Sequence, residues 1–168
     1  NSNLFFETTF AVWKCGATPT SLTWRLPRGE AAAVLDILKP SLVVGGQPDW
    51  NAPNSLPADF VPEGMSDEPL TNPVSRYWKA MTSGGSTGRP KRIVHTNASA
   101  LRYAELAADC YGLRPDDRLA NVAPFHFDQS TFELYAGPLV GAAALLISDV
   151  HLRFPASVSE LLERERAT

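Results

Sequence analysis

Thr82-Ser83-Gly84-Gly85-Ser86-Thr87-Gly88-Arg89-Pro90-Lys91 is the stretch on which the reading of this chain turns. Gly84, Gly85 and Gly88 let the backbone approach a ligand closely and turn its N–H groups inward. The hydroxyls of Thr82, Ser83, Ser86 and Thr87 add donors that can follow an anionic oxygen, and Lys91 contributes a point charge. Each charge-assisted contact is worth roughly 1.5–3 kcal/mol. That inventory suits a triphosphate. Pro90 keeps the loop from running on into a helix. On either side, Tyr77 to Thr82 and Arg92 to His95 read as strands, so the loop joins two extended segments.

Other readings compete for the same residues. A Walker-type phosphate loop needs Gly-x-x-x-x-Gly-Lys-Ser/Thr followed by a helix; the spacing is absent and Pro90 forbids the helix start. Gly84-Gly85-Ser86-Thr87-Gly88 does match the Gly-x-Ser-x-Gly elbow of serine hydrolases, with Ser86 as nucleophile. An elbow requires a helix directly after its serine, whereas Ile93 and Val94 are strand-like. An ordinary Gly/Ser surface turn is the third alternative. The hydrolase and the surface turn stay open.

Working outward, the chain alternates helix and strand, the rhythm of an α/β layered fold. Leu4 to Cys15 fits a helix stopped at Gly16, and Ala17 to Leu22 a short strand. Pro27 opens a helix through Leu38 that Pro40 ends, and Leu42, Val43 and Val44 form a brief buried strand. From Gln47 to Pro73 the prolines (Pro48, Pro53, Pro57, Pro62, Pro69, Pro73) break every pattern, which predicts a long surface connection between subdomains. Beyond the loop, Asn97 or Ser99 caps a helix to Tyr111 that Gly112 closes. Leu119 to Ala123 reads as a strand, Thr131 to Val140 as a helix, and Ala142 to Ile147 as a buried strand. There is no internal repeat. The expected division is a first α/β segment at 1–46, the proline-rich connection at 47–75, and the loop-bearing segment at 76–168.

Composition narrows the class. With 44% hydrophobic residues, 20% charged residues and a formal net charge of -3, the chain has the balance of a soluble globular protein. No Lys/Arg cluster points to nucleic acid, and the apolar run from Gly137 to Ile147 is too short to span a bilayer. Cys15 and Cys110 lack metal or redox spacing, which predicts buried or half-buried thiols in a reducing cytoplasm. Both ends fall inside patterned segments, so a fragment is expected.

Ala123-Pro124-Phe125-His126-Phe127-Asp128-Gln129-Ser130 sits where a strand gives way to a helix, the place at which open α/β sheets bind ligands. Asp128 between aromatics is expensive to bury without a cation or donors. Alternatively, Asp128 or Ser130 caps the next helix turn. His126 reads as packed among aromatics or as a site residue; His95 and His151 have no partner motif. Trp24, Trp50 and Trp78 read as packing residues.

Thr82 to Lys91 resembles the phosphate-loop signature Thr-Ser-Gly-(Ser/Thr)-Thr-Gly-x-Pro-Lys-Gly of the adenylate-forming superfamily. That group includes acyl-CoA synthetases and the adenylation domains of non-ribosomal peptide synthetases. Gly85 departs from it by replacing a hydroxyl residue, and Arg92 by replacing the final glycine. Trp13-Lys14-Cys15-Gly16-Ala17-Thr18-Pro19 is similar to the family's earlier Leu-Lys-Ala-Gly-Ala-x-x-x-Pro element. The resemblance implies layered αβαβα subdomains belonging to a large N-terminal domain, with the C-terminal lid domain absent. It implies ATP and Mg2+ as cofactors, with Thr82, Ser83, Gly84, Gly85, Ser86, Thr87, Gly88 and Lys91 on the nucleotide. The implied chemistry joins a small-molecule carboxylate to AMP and passes it to CoA or a phosphopantetheinyl carrier protein.

Phe127-Asp128-Gln129-Ser130 resembles the Phe-Asp-x-Ser element of amino-acid adenylation domains. By that likeness Asp128 anchors a substrate ammonium, and Gln129 and Phe132 line the side-chain pocket. Pro124-Phe125-His126 resembles the Pro-x-x-His element of acyl-CoA synthetases, which places His126 beside an acyl site. An amino acid is favoured narrowly, because a buried Asp128 needs a positive partner. The family's Tyr-Gly-x-Thr-Glu and Thr-Gly-Asp elements and its late lysine do not occur in the 168 residues.

Overall fold

A computed structural model describes residues 2–52, 54–61, 63–66, 68–71, 73–83 and 90–168. Helix α1 (Asn3–Lys14) begins where the Ser2 side chain accepts a hydrogen bond from Phe5 N, an N-cap. It ends in a Schellman arrangement, with Gly16 N donating to Trp13 O and Ala17 N donating to Val12 O. Gly16 takes φ +69, the left-handed geometry that this closure requires. Helix α2 (Arg28–Leu38) follows Pro27 and closes on Lys39, itself left-handed, one residue before Pro40. Helix α3 (Asn97–Tyr111) closes on Gly112 as the sequence suggests, but its N-cap is Thr96 rather than Asn97 or Ser99. The Thr96 hydroxyl sits one residue outside the helix and accepts from Ser99 N.

The strands pair two by two among the described residues. β1 (Val43–Val44) and β2 (Ser55–Leu56) are parallel, β3 (Lys79–Ser83) and β4 (Lys91–His95) antiparallel, and β5 (Arg118–Asn121) and β6 (Ala143–Leu146) parallel. The expected strand at Ala17 to Leu22 reduces to a single bridge, Thr20 to Ala80. β1 is present but not buried, since Leu42 and Val44 are exposed. Side chains of β6 are likewise only partly covered; its flanking Ile147 and Ala142 are the buried ones. The helix expected at Thr131 to Val140 is split into a π-helical turn, Phe132–Ala136, and a short α4, Gly137–Val140. Helices α5 (Asp149–Leu152) and α6 (Pro155–Arg164) complete the described chain.

The proline-rich connection is less empty than its sequence suggests. Pro48–Trp50 form a 3-10 turn, β2 lies just beyond it, and Trp50 packs with Ala31 and Leu35 in one buried cluster. A second cluster joins Ala104 and Ala107 of α3 to Ala136 of the π turn. Trp78 is buried as expected, but Trp24 is 58% exposed, with the Arg25 guanidinium over its ring. Cys15, the C-cap of α1, and Cys110, in the last turn of α3, are free and exposed rather than buried. No described helix is long and apolar enough to cross a membrane.

An aromatic column ties these layers together. Phe10 meets Trp13 edge-on, Trp13 stacks on Trp78 at 5.8 Å, and Trp78 leans on Tyr135 of the π turn at 5.1 Å. Trp13 Nε1 donates to Trp78 O at 2.6 Å, fixing α1 against the approach to β3. Each such aromatic pair adds roughly 0.5–1.5 kcal/mol beyond its buried area.

Gly16 offers a controlled test of the α1 closure. A Cβ built there would lie 2.6 Å from Pro73 Cβ, whereas Gly112, also left-handed, has nothing within 4 Å. Gly112→Ala should cost about 1–2 kcal/mol, the left-handed penalty alone. Gly16→Ala should cost about 1–3 kcal/mol more, through overpacking against Pro73. Urea denaturation of both variants measures the difference, and equal losses would contradict it.

Candidate nucleotide and substrate site

β3 carries the two halves of the site. At its C-terminal end, Ser83 pairs across the ladder with Lys91 and Thr82 with Arg92, so the hairpin holds both ends of the glycine loop side by side. Thr82 and Ser83 are half-buried and Lys91 is exposed. Gly84, Gly85, Ser86, Thr87 and Gly88 lie outside the described residues, as does Arg89. At the N-terminal end of β3, about 13 Å from Ser83 by strand rise, sits Lys79, which is only 3% exposed.

Lys79 is a residue that sequence reasoning missed. Its Nζ donates to the carbonyl of Phe125 at 3.1 Å, joining β3 to the turn that carries His126 and Asp128. The same carbonyl accepts from Ser130 Oγ at 3.4 Å. Burial lowers the Lys79 ammonium to about 8, and the nearby Asp128 carboxylate opposes part of that fall. The signal was present in the sequence as a charged residue inside the apolar run Trp78-Lys79-Ala80-Met81.

The 124–130 turn is built from the backbone outward. Phe127 N donates to Pro124 O at 2.9 Å, and the fully buried Ser130 hydroxyl donates to Phe127 O at 2.7 Å. Phe125 is buried and stacks on Phe5 of α1 at 4.8 Å. Neither Asp128 nor Ser130 caps the 3-10 turn Asp128–Ser130. Asp128 itself is exposed, not buried as its aromatic neighbours suggested, because Phe127 also turns outward. His126 is half-buried with its ring against Phe127; burial, and then the Lys79 charge, hold it below the usual imidazole range.

Gln129 and Phe132 do come together. Both line a hollow of about 670 Å3 with Tyr103 and Tyr111 of α3, Leu113 and Leu119. Asp128 and His126 are not part of that lining. The π turn brings a further carboxyl to this region, since Glu133 accepts from the buried Asn121 and has one oxygen, Oε2, buried without a hydrogen bond. Burial pushes Glu133 up, and burial with the Glu133 charge pushes the Tyr103 phenol up. Such π turns frequently occur at functional sites. No group of three or more His, Cys, Asp or Glu among the described residues could hold a metal ion.

The architecture is that of a known class. Over its whole length the chain superposes on o-succinylbenzoate CoA synthetase of Bacillus subtilis, solved with its acyl-adenylate intermediate. The TM-score is 0.82 at 18% identity, and the match covers 46% of that chain. The AMP-binding enzyme family matches residues 1–168, and the protein belongs to that family. A dimodular nonribosomal peptide synthase of Bacillus subtilis is 27% identical over 168 residues, covering 90% of this chain and 7% of the synthase. An L-proline–[L-prolyl-carrier protein] ligase of Pseudomonas fluorescens is 37% identical over 67 residues, covering 40% of this chain and 14% of the ligase. The chain thus spans a small part of the length of these relatives.

The buried ammonium has a stability signature. Folded Lys79 titrates near 8 against an ordinary value of 10.5. The unfolded chain therefore binds more protons between those values, and stability should rise with pH across that window. Lys79→Met removes the buried charge, so it should stabilise the fold at pH 7 by on the order of 3 kcal/mol. That advantage should vanish by about pH 10.5. Urea denaturation across this pH range tests it; a gap that stays constant would show that Lys79 carries no buried charge.

Proposed function

We propose that this chain forms the nucleotide-gripping and acid-binding part of an enzyme that activates a carboxylate with ATP. The product is an acyl-adenylate, which passes to the thiol of a phosphopantetheinyl carrier protein or of CoA. The observation that carries this reading is the β3–β4 hairpin. It sets Ser83 against Lys91 at the mouth of a Gly/Ser/Thr loop, with the 124–130 turn pinned to the other end of the same strand. Membership of the AMP-binding family supports the nucleotide, and the ligases among its relatives support the acid and its thiol acceptors.

The reaction is attack by a carboxylate oxygen on the α-phosphorus of ATP, with pyrophosphate leaving. The nucleophile is already an anion, so the protein supplies position and offsetting charge rather than a general base. In this proposal Thr82, Ser83 and Lys91, with Gly84, Gly85, Ser86, Thr87 and Gly88 between them, hold the β- and γ-phosphates. Magnesium, which binds phosphate oxygens readily, finds no cluster of three or more His, Cys, Asp or Glu ligands among the described residues. Gln129 and Phe132 line the acid pocket, with His126 at its border. Asp128 is the polar group presented to the substrate; in an amino-acid enzyme it would hold the α-ammonium.

Lys91 is exposed on β4, so its replacement should leave the fold intact. In the intact enzyme Lys91→Ala should lower acid-dependent ATP–pyrophosphate exchange by roughly 100-fold or more, the scale for losing a preorganised charge contact. Unchanged exchange would remove the phosphate-loop assignment.

A further inference from the structure

Lys79 puts an ammonium where an apolar group would suit the strand. It is 3% exposed, flanked by the buried Trp78 and Ala80. Among the described residues its Nζ makes one hydrogen bond, 3.1 Å to Phe125 O, and no ion pair. Taking a charge out of water for a single neutral acceptor is unfavourable. A residue that breaks a local rule without a stabilising return points to function.

What the bond does follows from how the 124–130 turn is held. Bonds of short sequence span give that turn its shape: Phe127 N donates to Pro124 O, and Ser130 Oγ to Phe127 O and Phe125 O. Such bonds travel with the turn and do not place it in the fold. The Lys79 bond spans 46 residues of sequence and ends on a backbone oxygen within the turn. It therefore locates His126, next to the anchored carbonyl, and Gln129, which faces the hollow shared with Phe132, Tyr103 and Tyr111. The other end of β3 does not depend on this side chain. Its ladder to β4, from Lys79 opposite His95 to Ser83 opposite Lys91, is a pairing of backbones. The mouth of the glycine loop is thus held whatever side chain stands at position 79.

We infer that Lys79 is a positioning residue for the acid: through Phe125 O it holds the turn, and so Gln129 and His126, where the carboxylate substrate requires them. It acts on the surroundings of the acid and leaves the nucleotide end of the strand untouched. The inference rests on the adenylation reading of this same site and adds to it a residue for the acid half alone.

The experiment is ATP–pyrophosphate exchange by the intact enzyme with a panel of amino, aryl and alkyl carboxylic acids, followed for those that the wild type activates. Lys79→Met should lower kcat/KM for such an acid by roughly 10- to 100-fold, the scale of an ångström's misplacement. Its KM for ATP should stay within about threefold of wild type, because the ladder still holds the loop. Urea denaturation at pH 7 should show the same variant at least as stable as wild type, since a buried charge has gone. Ser130→Ala loosens the same turn from within and should give the same acid-selective loss. The double variant should lose less than the product of the two single losses, because both move one turn. A purely structural lysine gives another pattern, a less stable variant with acid and ATP affected together, and that pattern would overturn the inference. So would unchanged kinetics, or losses that multiply. Any of these leaves wild-type exchange in place and removes the role of Lys79 alone, whereas a wild type with no exchange for any acid removes the adenylation reading and the inference with it.

Discussion

A single buried ammonium holds the two ends of the candidate site in register. Lys79 sits on the strand that leads to the glycine loop, and its hydrogen bond to Phe125 O fastens that strand to the turn bearing His126 and Asp128. The bond fixes a backbone carbonyl, not a side chain, so the whole 124–130 turn is located by it. Desolvation works against this arrangement, and the Asp128 carboxylate partly offsets that cost.

The packing around this bond is aromatic and comes from α1. Phe5 stacks on Phe125 beneath the turn, while Trp13 stacks on Trp78 beside Lys79. One helix therefore braces both partners of the Lys79–Phe125 contact. Large flat rings suit this task because they bury much area with few rotatable bonds. A polar knot lies at the approach to the same strand. Thr18 and Ser75 share a hydrogen bond near Tyr77 O, and Asn97 at the start of α3 donates to Ser75 O.

The hollow beside the π turn divides the expected pocket residues. Gln129 and Phe132 face it together with Tyr103 and Tyr111, but Asp128 lies outside its lining and in solvent. Because Asp128 is exposed, water solvates its charge and no incoming amine is needed to offset burial. What remains is a carboxylate on the surface of a turn whose Phe125 carbonyl holds the buried Lys79 ammonium. Glu133 adds a carboxyl kept toward its neutral form by burial, with Asn121 as its hydrogen-bond partner.

Much of this chain was legible in its sequence because the signals are local. Helix ends at Gly16 and Gly112, the start of α2 after Pro27, and the strands on either side of the glycine loop follow from backbone preferences that each residue carries with it. The loop motif and the Phe-Asp-x-Ser element pointed to the candidate site, of whose expected residues the fold brings Gln129 and Phe132 to one hollow. Tertiary structure decided what depends on neighbours distant in the chain. It reduced the Ala17 to Leu22 segment to one bridge, buried Trp50 from within a proline-rich connection, exposed Trp24 and both cysteines, and turned Asp128 outward. It also brought the Lys79 ammonium to a carbonyl 46 residues away. Burial and charge pairing are properties of what surrounds a side chain, and no local pattern carries that information.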